Sequence, residues 1–203
     1  MKIICVGRNY AEHARELNNP VNEKPVIFLK PETALLQKRQ PFFMPDFSAE
    51  IHHEIEIVVK INRLGKNIQP QFAHKYYEEI GLGIDFTARD LQTELKSKGL
   101  PWELAKAFDG SAPVGDFISK SELESVNEID FSLKKNDEIV QSGNTRDMIF
   151  PIDTIISFVS EYFTLKKGDL IFTGTPKGVG PVKKGDTLDG FIAGKRLIHV
   201  KIR

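Results

Sequence analysis

The amino-acid sequence predicts a single α+β domain over residues 1–203 in which β-strands predominate. Short apolar segments rich in β-branched residues recur along the chain, and turn residues separate them throughout. Segments with the composition of a helix are few, and no repeat, low-complexity run or linker-like stretch divides the chain. A chain of 203 residues is long enough to bury a sizeable core, so one domain is sufficient.

The first half of the chain supplies most of the predicted strands. They are KIICVG, PVIFLKP, IHHEIEIVVKI and IGLGIDFTA, at residues 2–7, 25–31, 51–61 and 80–88. NYAEHARELN (9–18) has helix-forming residues with weak apolar periodicity, which predicts a short exposed helix or a lid over residues 10–20 or so. RDLQTELKSKG (89–99) predicts a longer helix that ends at Gly99.

The second half contains a predicted hairpin, a helix and a group of closing strands. IDFSLKKNDEIVQSG (129–143) predicts a hairpin with its turn at Lys135–Asp137. The apolar segment after Pro151 predicts a helix that ends near residue 163. GDLIFTGTP (168–176) and the last nineteen residues (185–203) predict strands joined by turns.

Charge and cysteine content exclude several classes of function. The chain carries 28 basic and 28 acidic side chains, so it has no net charge that would attract nucleic acid or an anionic membrane. Cys5 is the only cysteine, which rules out an intramolecular disulfide and a cysteine-rich zinc site. No apolar run approaches the roughly 20 residues of a membrane span, and Arg8 and Glu12 come too early for a signal peptide. We therefore expect a cytoplasmic protein.

Glu54 and Glu56 are two carboxylates on a predicted strand that is otherwise apolar. Residues two apart in a strand share a face, so these side chains project together. One explanation is a solvated face, since charged alternation beside an apolar face is typical of a half-exposed strand. The other is a bound cation, because a buried pair of like charges must be neutralised.

Asp85 favours the cation. It interrupts a small and apolar stretch where a strand gives way to a helix, and an unpaired aspartate there would be costly. Three carboxylates without cysteine are hard oxygen ligands of the kind that suits Mg²⁺ or Mn²⁺, with water and substrate completing the coordination. The sequence therefore predicts a divalent metal site at Glu54, Glu56 and Asp85.

Other polar residues lie where a substrate could meet them. His13 and Glu16 are neighbours on one face of the predicted short helix, and Arg89 and Gln92 are spaced in the same way at the start of the longer one. Lys106 lies in PWELAKAFDGSAPVG among apolar and small residues, a context that also suits an ordinary lysine with its head in solvent.

Six segments together resemble the fumarylacetoacetate hydrolase superfamily, and its small acylpyruvase and oxaloacetate decarboxylase branch in particular. They are CVGRNYAEHAREL, FLKP, HHEIEI, GIDFTARDLQ, KGLPWELAKAFDGSAPVG and GDLIFTGTPKGVGP, which follow one another in the family order from residue 5 to residue 181. The resemblance implies a mixed β-roll fold, a homodimer, and a divalent metal held by Glu54, Glu56 and Asp85.

The resemblance also implies roles for the remaining residues. His13 and Glu16 match the family's catalytic dyad on a mobile lid, and Lys106 matches its active-site lysine. Arg89, Gln92 and Thr175 match positions around the substrate. The implied reaction is hydrolysis of an acylpyruvate to pyruvate and a carboxylic acid, together with decarboxylation of oxaloacetate.

A mechanism consistent with these residues has His13, oriented by Glu16, deprotonate a water that attacks the distal carbonyl. The metal and Lys106 stabilise the pyruvate enolate that leaves. Three alternatives remain open from the sequence. Lys106 would form a Schiff base in a metal-independent aldolase or decarboxylase. A metal-dependent relative would isomerise or decarboxylate an unsaturated 2-oxo dicarboxylate from aromatic catabolism. A non-catalytic module would hold a structural Ca²⁺.

Overall fold

The computed structural model describes residues 1–16 and 23–203. The described part of the chain forms the helices α1 Ala11–Glu16, α2 Pro70–Ala73, α3 Arg89–Ser97, α4 Glu103–Lys106 and α5 Ile152–Tyr162. Its strands are β1 Ile3–Gly7, β2 Val26–Lys30, β3 Leu35–Leu36, β4 Ile51–His53, β5 Ile55–Ile61, β6 Tyr77–Ile84, β7 Thr87–Ala88, β8 Ala112–Ser119, β9 Asp130–Lys135, β10 Glu138–Asn144, β11 Leu170–Phe172, β12 Gly180–Pro181, β13 Thr187–Ile192 and β14 Lys195–Lys201.

The strands form three sheets. The largest has the order β2-β1-β11-β5-β6-β8-β3, and the others have the orders β10-β9-β13-β14 and β12-β4-β7. The pairs β1–β11 and β3–β8 are parallel, whereas the other pairs are antiparallel. This mixed, strand-rich arrangement with few helices confirms the predicted fold class.

The main core lies where the four-stranded sheet packs on the seven-stranded one. A Cβ added to Gly190 in β13 would lie 3.1 Å from Ile55 and 3.2 Å from Leu82, so the absence of a side chain there lets the two sheets approach. The apolar face of α5 joins the same core through Ile155, Ile156 and Val159. Because these apolar residues are removed from water on both sides, their burial holds the strands that carry the polar site.

Most predicted elements are confirmed. The predicted hairpin turns at Asn136 and Asp137, both with φ near +60°, which is the geometry of a two-residue turn between antiparallel strands. The predicted helix at 89–99 ends at Ser97, and Gly99 follows with φ +64° as the expected stop. The helix after Pro151 is α5.

Two features differ from the sequence prediction. The single strand predicted over residues 51–61 is broken at Glu54, because β4 pairs in the three-stranded sheet and β5 in the seven-stranded one. The sequence pattern predicts no strand over residues 112–119, yet they form β8, which lies between β6 and the edge strand β3 in the large sheet.

The predicted lid is described only in part. Its first residues form α1, and residues 17–20 lie outside the described residues. Within 1–16 and 23–203, none of the helices has the length and apolar character needed to span a membrane.

Candidate active site

The pairing of β5 with β6 brings the three carboxylates together. Glu56 lies opposite Gly83, and Ile55 lies opposite Ile84 at the end of the ladder. Beyond it the backbone N–H of Asp85 donates to the carbonyl of Glu54 at 2.8 Å. Side chains two residues apart share a face, so Glu54, Glu56 and Asp85 converge at this end of the sheet.

All three carboxylates are buried, with exposures of 5% for Glu54, 2% for Glu56 and 1% for Asp85. The explanation of Glu54 and Glu56 as a solvated strand face is therefore wrong. Oxygen atoms from the three side chains lie within 4.8 Å of one another, which is the spacing expected of groups that share one cation.

Lys106 contacts two members of this cluster. Its Nζ donates to Glu54 Oε2 at 2.7 Å, to Asp85 Oδ2 at 2.7 Å and to Thr87 Oγ1 at 2.6 Å. The side chain is buried, so the alternative of a lysine with its head in solvent is wrong. Burial opposes its positive charge, but the carboxylates of Asp85 and Glu54 outweigh burial, and the pKa of Lys106 is raised. A protonated amine is not a nucleophile, which argues against a Schiff base.

Lys30 supports the cluster from the opposite side. Its Nζ lies 2.7 Å from Asp85 Oδ1. The same group donates hydrogen bonds to the carbonyl of Lys106 and to the carbonyl and hydroxyl of Ser111. The short distance between the Lys30 ammonium and Asp85 Oδ1, with both side chains buried, makes this contact a buried ion pair. The side chain of Lys30 is fully buried, and it links β2 to the C-terminal residue of α4, Lys106, and to Ser111.

Arg89 and Gln92 adjoin the cluster, as the sequence predicts. Arg89 Nη2 lies 2.5 Å from Glu54 Oε1, and its Nη1 donates to Gln92 Oε1. Arg89 Nε also donates to His52 Nδ1 at 3.3 Å, so the imidazole of His52 helps to orient the guanidinium. Both oxygens of Glu54 are thus held by cationic groups.

The charges around Glu54 and Glu56 move their pKa values in opposite directions. Burial raises the pKa of Glu54, but the positive charges of Lys106 and Arg89 outweigh burial and the pKa is lowered. Glu56 has no such partner: burial, followed by the charges of Asp85 and Glu54, raises its pKa well above the usual value. The N–H of Gly174 donates to Glu56 Oε2 at 2.7 Å and opposes this shift only in part.

His13 and Glu16 form the predicted pair on α1. His13 Nδ1 lies 3.1 Å from Glu16 Oε2, and the N–H of Gly178 also donates to the Glu16 carboxylate at 3.1 Å. A carboxylate only accepts, so Nδ1 carries the hydrogen and Nε2 is left as the proton acceptor. His13 is buried and lines the same cavity as the carboxylates.

Thr175 also lines this cavity, although its hydroxyl is engaged by protein groups. It donates to the carbonyl of Ile55 at 2.8 Å and accepts from Gln141 Nε2 at 2.9 Å. Gln141 Oε1 in turn accepts from His53 Nδ1 and from the N–H of Ile55. This buried network fixes the backbone beside Glu54 and Glu56.

The cavity has a volume of about 40 Å³ and brings together all but one of the predicted site residues. It is lined by His13, Glu54, Glu56, Asp85, Arg89, Gln92, Lys106, Thr175, Val6, Gly7, Arg8, Phe28, Lys96 and Trp102. Glu16 is absent from this lining and reaches the site through its contact with His13.

The arrangement of donors fits a divalent cation. Three hard oxygen donors converge, and within residues 1–16 and 23–203 the ion pairs of the cluster engage Glu54 and Asp85 but not Glu56. Mg²⁺ and Mn²⁺ prefer such carboxylate oxygens. Lys106 donates to two of the same side chains, so the lysine and a metal would share the cluster's negative charge.

The sequence interpretation assigned no role to Lys30 or Gly174. Lys30 ends an apolar strand before Pro31, and a charged residue in so apolar a segment is the one sequence signal that it is buried. Gly174 has φ +98°, and a Cβ there would lie 2.7 Å from the Asn9 side chain, so glycine is needed to aim its N–H at Glu56. That requirement appears only in the folded chain.

The comparisons with known proteins agree with the fold and identify the family. Residues 2–199 match the model of the fumarylacetoacetate (FAA) hydrolase C-terminal family. The mitochondrial oxaloacetate tautomerase of Mus musculus is 45% identical over 201 residues, covering 99% of this chain and 91% of the relative. The mitochondrial oxaloacetate decarboxylase of Dictyostelium discoideum is 42% identical over 194 residues, covering 95% of this chain and 89% of the relative.

A solved structure extends these similarities to the fold. The fumarylpyruvate hydrolase of Pseudomonas aeruginosa, in complex with Mn²⁺ and pyruvate, is 36% identical with a TM-score of 0.92, covering 100% of this chain and 89% of that one. Similarity over nearly the whole chain, with a shared fold, places the protein in the same class as these enzymes. The chain belongs to the fumarylacetoacetate hydrolase family.

Proposed function

We propose that this protein is a divalent-metal-dependent enzyme that cleaves 2-oxoacids through the enolate of pyruvate. Its reactions are hydrolysis of the C–C bond of acylpyruvates, of the acetylpyruvate or fumarylpyruvate type, and decarboxylation of oxaloacetate. The observation that most strongly supports this proposal is the position of Lys106. Its ammonium donates hydrogen bonds to Glu54 and Asp85 in the cavity that His13 also lines. The site thus combines a fixed positive charge with a proton acceptor.

Glu54, Glu56 and Asp85 are the proposed metal ligands, with Mg²⁺ or Mn²⁺ as the ion. When bound there, the ion supplies Lewis-acid polarisation of the 2-oxo group and offsets negative charge on its oxygen. The Pseudomonas aeruginosa relative, with Mn²⁺ and pyruvate together, supports both the metal and a 2-oxoacid ligand. Arg89, Gln92 and Thr175 are the proposed contacts for the substrate beside it.

His13 acts as the general base in hydrolysis. Nε2 removes a proton from water, the water oxygen bonds to the distal carbonyl carbon, and Glu16 holds the imidazolium that forms. The C–C bond then breaks, its electron pair passes to the pyruvate fragment, and a carboxylic acid leaves. Lys106 stabilises the enolate charge until a proton adds to the terminal carbon.

Decarboxylation of oxaloacetate yields the same enolate without an attacking water. The C–C bond to the departing carboxyl group breaks, CO₂ leaves, and a proton adds to the carbon that kept the electrons. This reaction depends on Lys106 and the carboxylate cluster rather than on His13 as a base for water. One site can therefore serve both substrates.

The second candidate is keto–enol tautomerisation of oxaloacetate, which is the activity named for the Mus musculus relative. It needs a base that moves a proton from carbon and a charge that stabilises the enolate oxygen, and His13 and Lys106 supply these. Isomerisation of unsaturated 2-oxo dicarboxylates is a further alternative with the same core residues.

A substrate panel distinguishes these activities. Pyruvate release is followed from acetylpyruvate, fumarylpyruvate and oxaloacetate, and enol-oxaloacetate loss is followed by absorbance, each with Mg²⁺, Mn²⁺ or excess EDTA. We expect metal-dependent pyruvate release from at least one acylpyruvate and from oxaloacetate. Metal-dependent tautomerisation alone would favour the second candidate, and activity that survives EDTA would overturn the metal site.

The protein is proposed to function as a homodimer in the cytoplasm, with small 2-oxoacids as its ligands and with no nucleic acid or membrane as a partner. Sedimentation would measure the dimer directly. A monomer at micromolar concentration with full activity would refute this assignment.

A further inference from the structure

Arg8 is a cation in the active-site cavity that none of the proposed steps uses. It lines the cavity together with Arg89, Lys96 and Lys106. Arg89 and Lys106 both bond to Glu54. By contrast, no carboxylate in residues 1–16 and 23–203 lies within 4.0 Å of the Arg8 guanidinium. Residues 17–22 contain no acidic side chain.

The backbone holds Arg8 in an uncommon conformation. Its φ is +61°, in the left-handed region that residues with a side chain seldom adopt. The next residue, Asn9, is fully buried and anchored: its Nδ2 donates to the carbonyls of Phe150 (3.0 Å) and Thr173 (2.8 Å), and its Oδ1 accepts from Phe150 N–H (2.7 Å). These three bonds fix the turn from which the Arg8 side chain extends.

Two aromatic rings of the cavity wall connect Lys106 to Arg8 through successive contacts. The Lys106 ammonium is 5.4 Å from the centre of the Phe28 ring, and the Phe28 and Trp102 rings are 6.0 Å apart. The Arg8 guanidinium carbon is 5.9 Å from the centre of the Trp102 ring. The cavity wall therefore has a polar end at Lys106, an apolar middle and a second cationic end at Arg8.

Cationic side chains lie close to one another at this end of the cavity. Lys96 also lines it, and burial lowers the pKa of Lys96, which the charges of Arg8 and Arg89 lower further. A bound anion would relieve this repulsion, and the planar guanidinium of arginine suits a carboxylate because it can donate two parallel hydrogen bonds.

We propose that Arg8 binds the distal carboxylate of the substrate, so that the enzyme prefers dicarboxylic 2-oxoacids to monocarboxylic ones of similar length. The 2-oxoacid end lies at Lys106 and the carboxylate cluster, the carbon chain lies along Phe28 and Trp102, and the second carboxylate meets Arg8. This assignment rests on the proposed function of the site, because it takes the 2-oxoacid end to lie at Lys106. Fumarylpyruvate has a second carboxylate at the end of a seven-carbon chain that can follow both rings, whereas acetylpyruvate has none and oxaloacetate is too short to reach Arg8.

The kinetic test compares Arg8→Gln with wild type on these three substrates in the presence of Mn²⁺. Loss of a hydrogen bond to a charged group predicts a fall of about 10- to 100-fold in kcat/KM for fumarylpyruvate, mainly through KM, and little change for the shorter oxaloacetate. Acetylpyruvate hydrolysis stays within about twofold, as does every activity of the control Lys98→Gln, which removes one exposed positive charge. Equal losses on all three substrates, or no loss on any, would overturn the proposal.

A binding measurement keeps the test independent of turnover. The Mn²⁺-loaded protein is titrated with 2-oxoheptanedioate and with 2-oxoheptanoate, which have the same number of carbons as fumarylpyruvate and differ in the terminal carboxylate. Wild type is expected to bind 2-oxoheptanedioate at least tenfold more tightly, and Arg8→Gln should lose that preference while Arg8→Lys keeps part of it. A wild type without the preference would overturn the assignment of Arg8 even if every substrate is turned over. Lack of turnover with the preference intact would overturn the proposed reaction instead.

Discussion

The Lys106 ammonium lies 2.7 Å from Glu54 Oε2, so the lysine that the sequence assigns to catalysis contacts a carboxylate that the sequence assigns to the metal. The same ammonium reaches Asp85 at 2.7 Å. The two assignments therefore describe one charge cluster rather than two separate sites. A change at Lys106 should consequently alter metal binding as well as turnover.

Replacing Lys106 with Met tests this coupling. The variant leaves Glu54, Glu56 and Asp85 buried without the ammonium, so the metal-free protein should unfold at a lower temperature, and Mn²⁺ should raise its Tm by more than it raises that of wild type. Loss of the charge that stabilises the enolate should lower kcat by about 100-fold or more. Thermal unfolding with EDTA and with Mn²⁺, alongside turnover, measures both effects. A wild-type rate, or the same Mn²⁺ increment as wild type, would contradict the coupling.

The two proposed reactions should respond differently to His13→Ala. Hydrolysis needs a base for water, so acetylpyruvate cleavage should fall by about 10²- to 10⁴-fold. Oxaloacetate decarboxylation needs no attacking water and should fall far less. Glu16→Gln, which keeps the side-chain shape but removes the charge that supports the imidazolium, should give a smaller loss of hydrolysis than His13→Ala. Parallel loss of both reactions in His13→Ala would refute the assigned division of roles.

Lys30 should be needed for the stability of the fold. In Lys30→Met the hydroxyl of Ser111 loses the ammonium that donates to it, the carbonyls of Lys106 and Ser111 each lose one of two donors, and Asp85 loses a buried positive neighbour. Breaking a buried pair from one side predicts a loss of about 3 kcal/mol or more in unfolding free energy. Urea unfolding measures it. The control is Lys38→Met, which removes an exposed ion pair with Asp116 and should cost less than about 1 kcal/mol. An equal loss of unfolding free energy in the two variants would show that Lys30 does not support the cluster.

His53 should make the metal-free protein less stable in acid. Burial, opposed in part by its hydrogen bond to Gln141, lowers its pKa from 6.5 to about 4. Between these values the unfolded chain binds a proton that the folded chain does not, so unfolding free energy falls as pH falls from 6.5 toward 4, by about 3 kcal/mol in total. Urea titrations in EDTA should show a shallower pH dependence for His53→Gln than for wild type. The exposed His74→Asn should keep the wild-type dependence. The same slope for all three proteins would contradict a buried neutral His53.

The local sequence pattern predicts those elements whose structure depends on residues that are adjacent in sequence. The turn at Asn136 and Asp137 and the helix end before Gly99 depend on backbone preferences of those residues. The break at Glu54 could not be predicted in this way. The alternation of side chains that is typical of a strand continues on both sides of Glu54. The change of sheet is set instead by the pairing of β4 with β7 and β12, which are distant in sequence. Strand β8 was missed because Pro113 and Gly115 interrupt its apolar pattern.

The candidate active site shows the same difference between residues that local sequence predicts and residues that only the fold brings together. Residues within recognisable motifs, such as Glu54 and Lys106, were predicted, and the structure brings them together. Lys30 was not, because its partners Lys106 and Ser111 are 76 and 81 residues away in sequence. Arg8 lies within a quoted motif, yet only its place beside Trp102 in the cavity indicates a ligand.

The measurement that tests the central claim most directly is exchange of the C3 hydrogens of pyruvate with solvent deuterium, followed by proton NMR with Mg²⁺. An enzyme that stabilises the pyruvate enolate at this site should catalyse the exchange, and excess EDTA or the substitution Glu56→Gln should abolish it. Exchange at the wild-type rate in EDTA or in Glu56→Gln, or none with Mg²⁺ while acylpyruvates are cleaved, would contradict a metal-dependent enolate at Glu54, Glu56, Asp85 and Lys106.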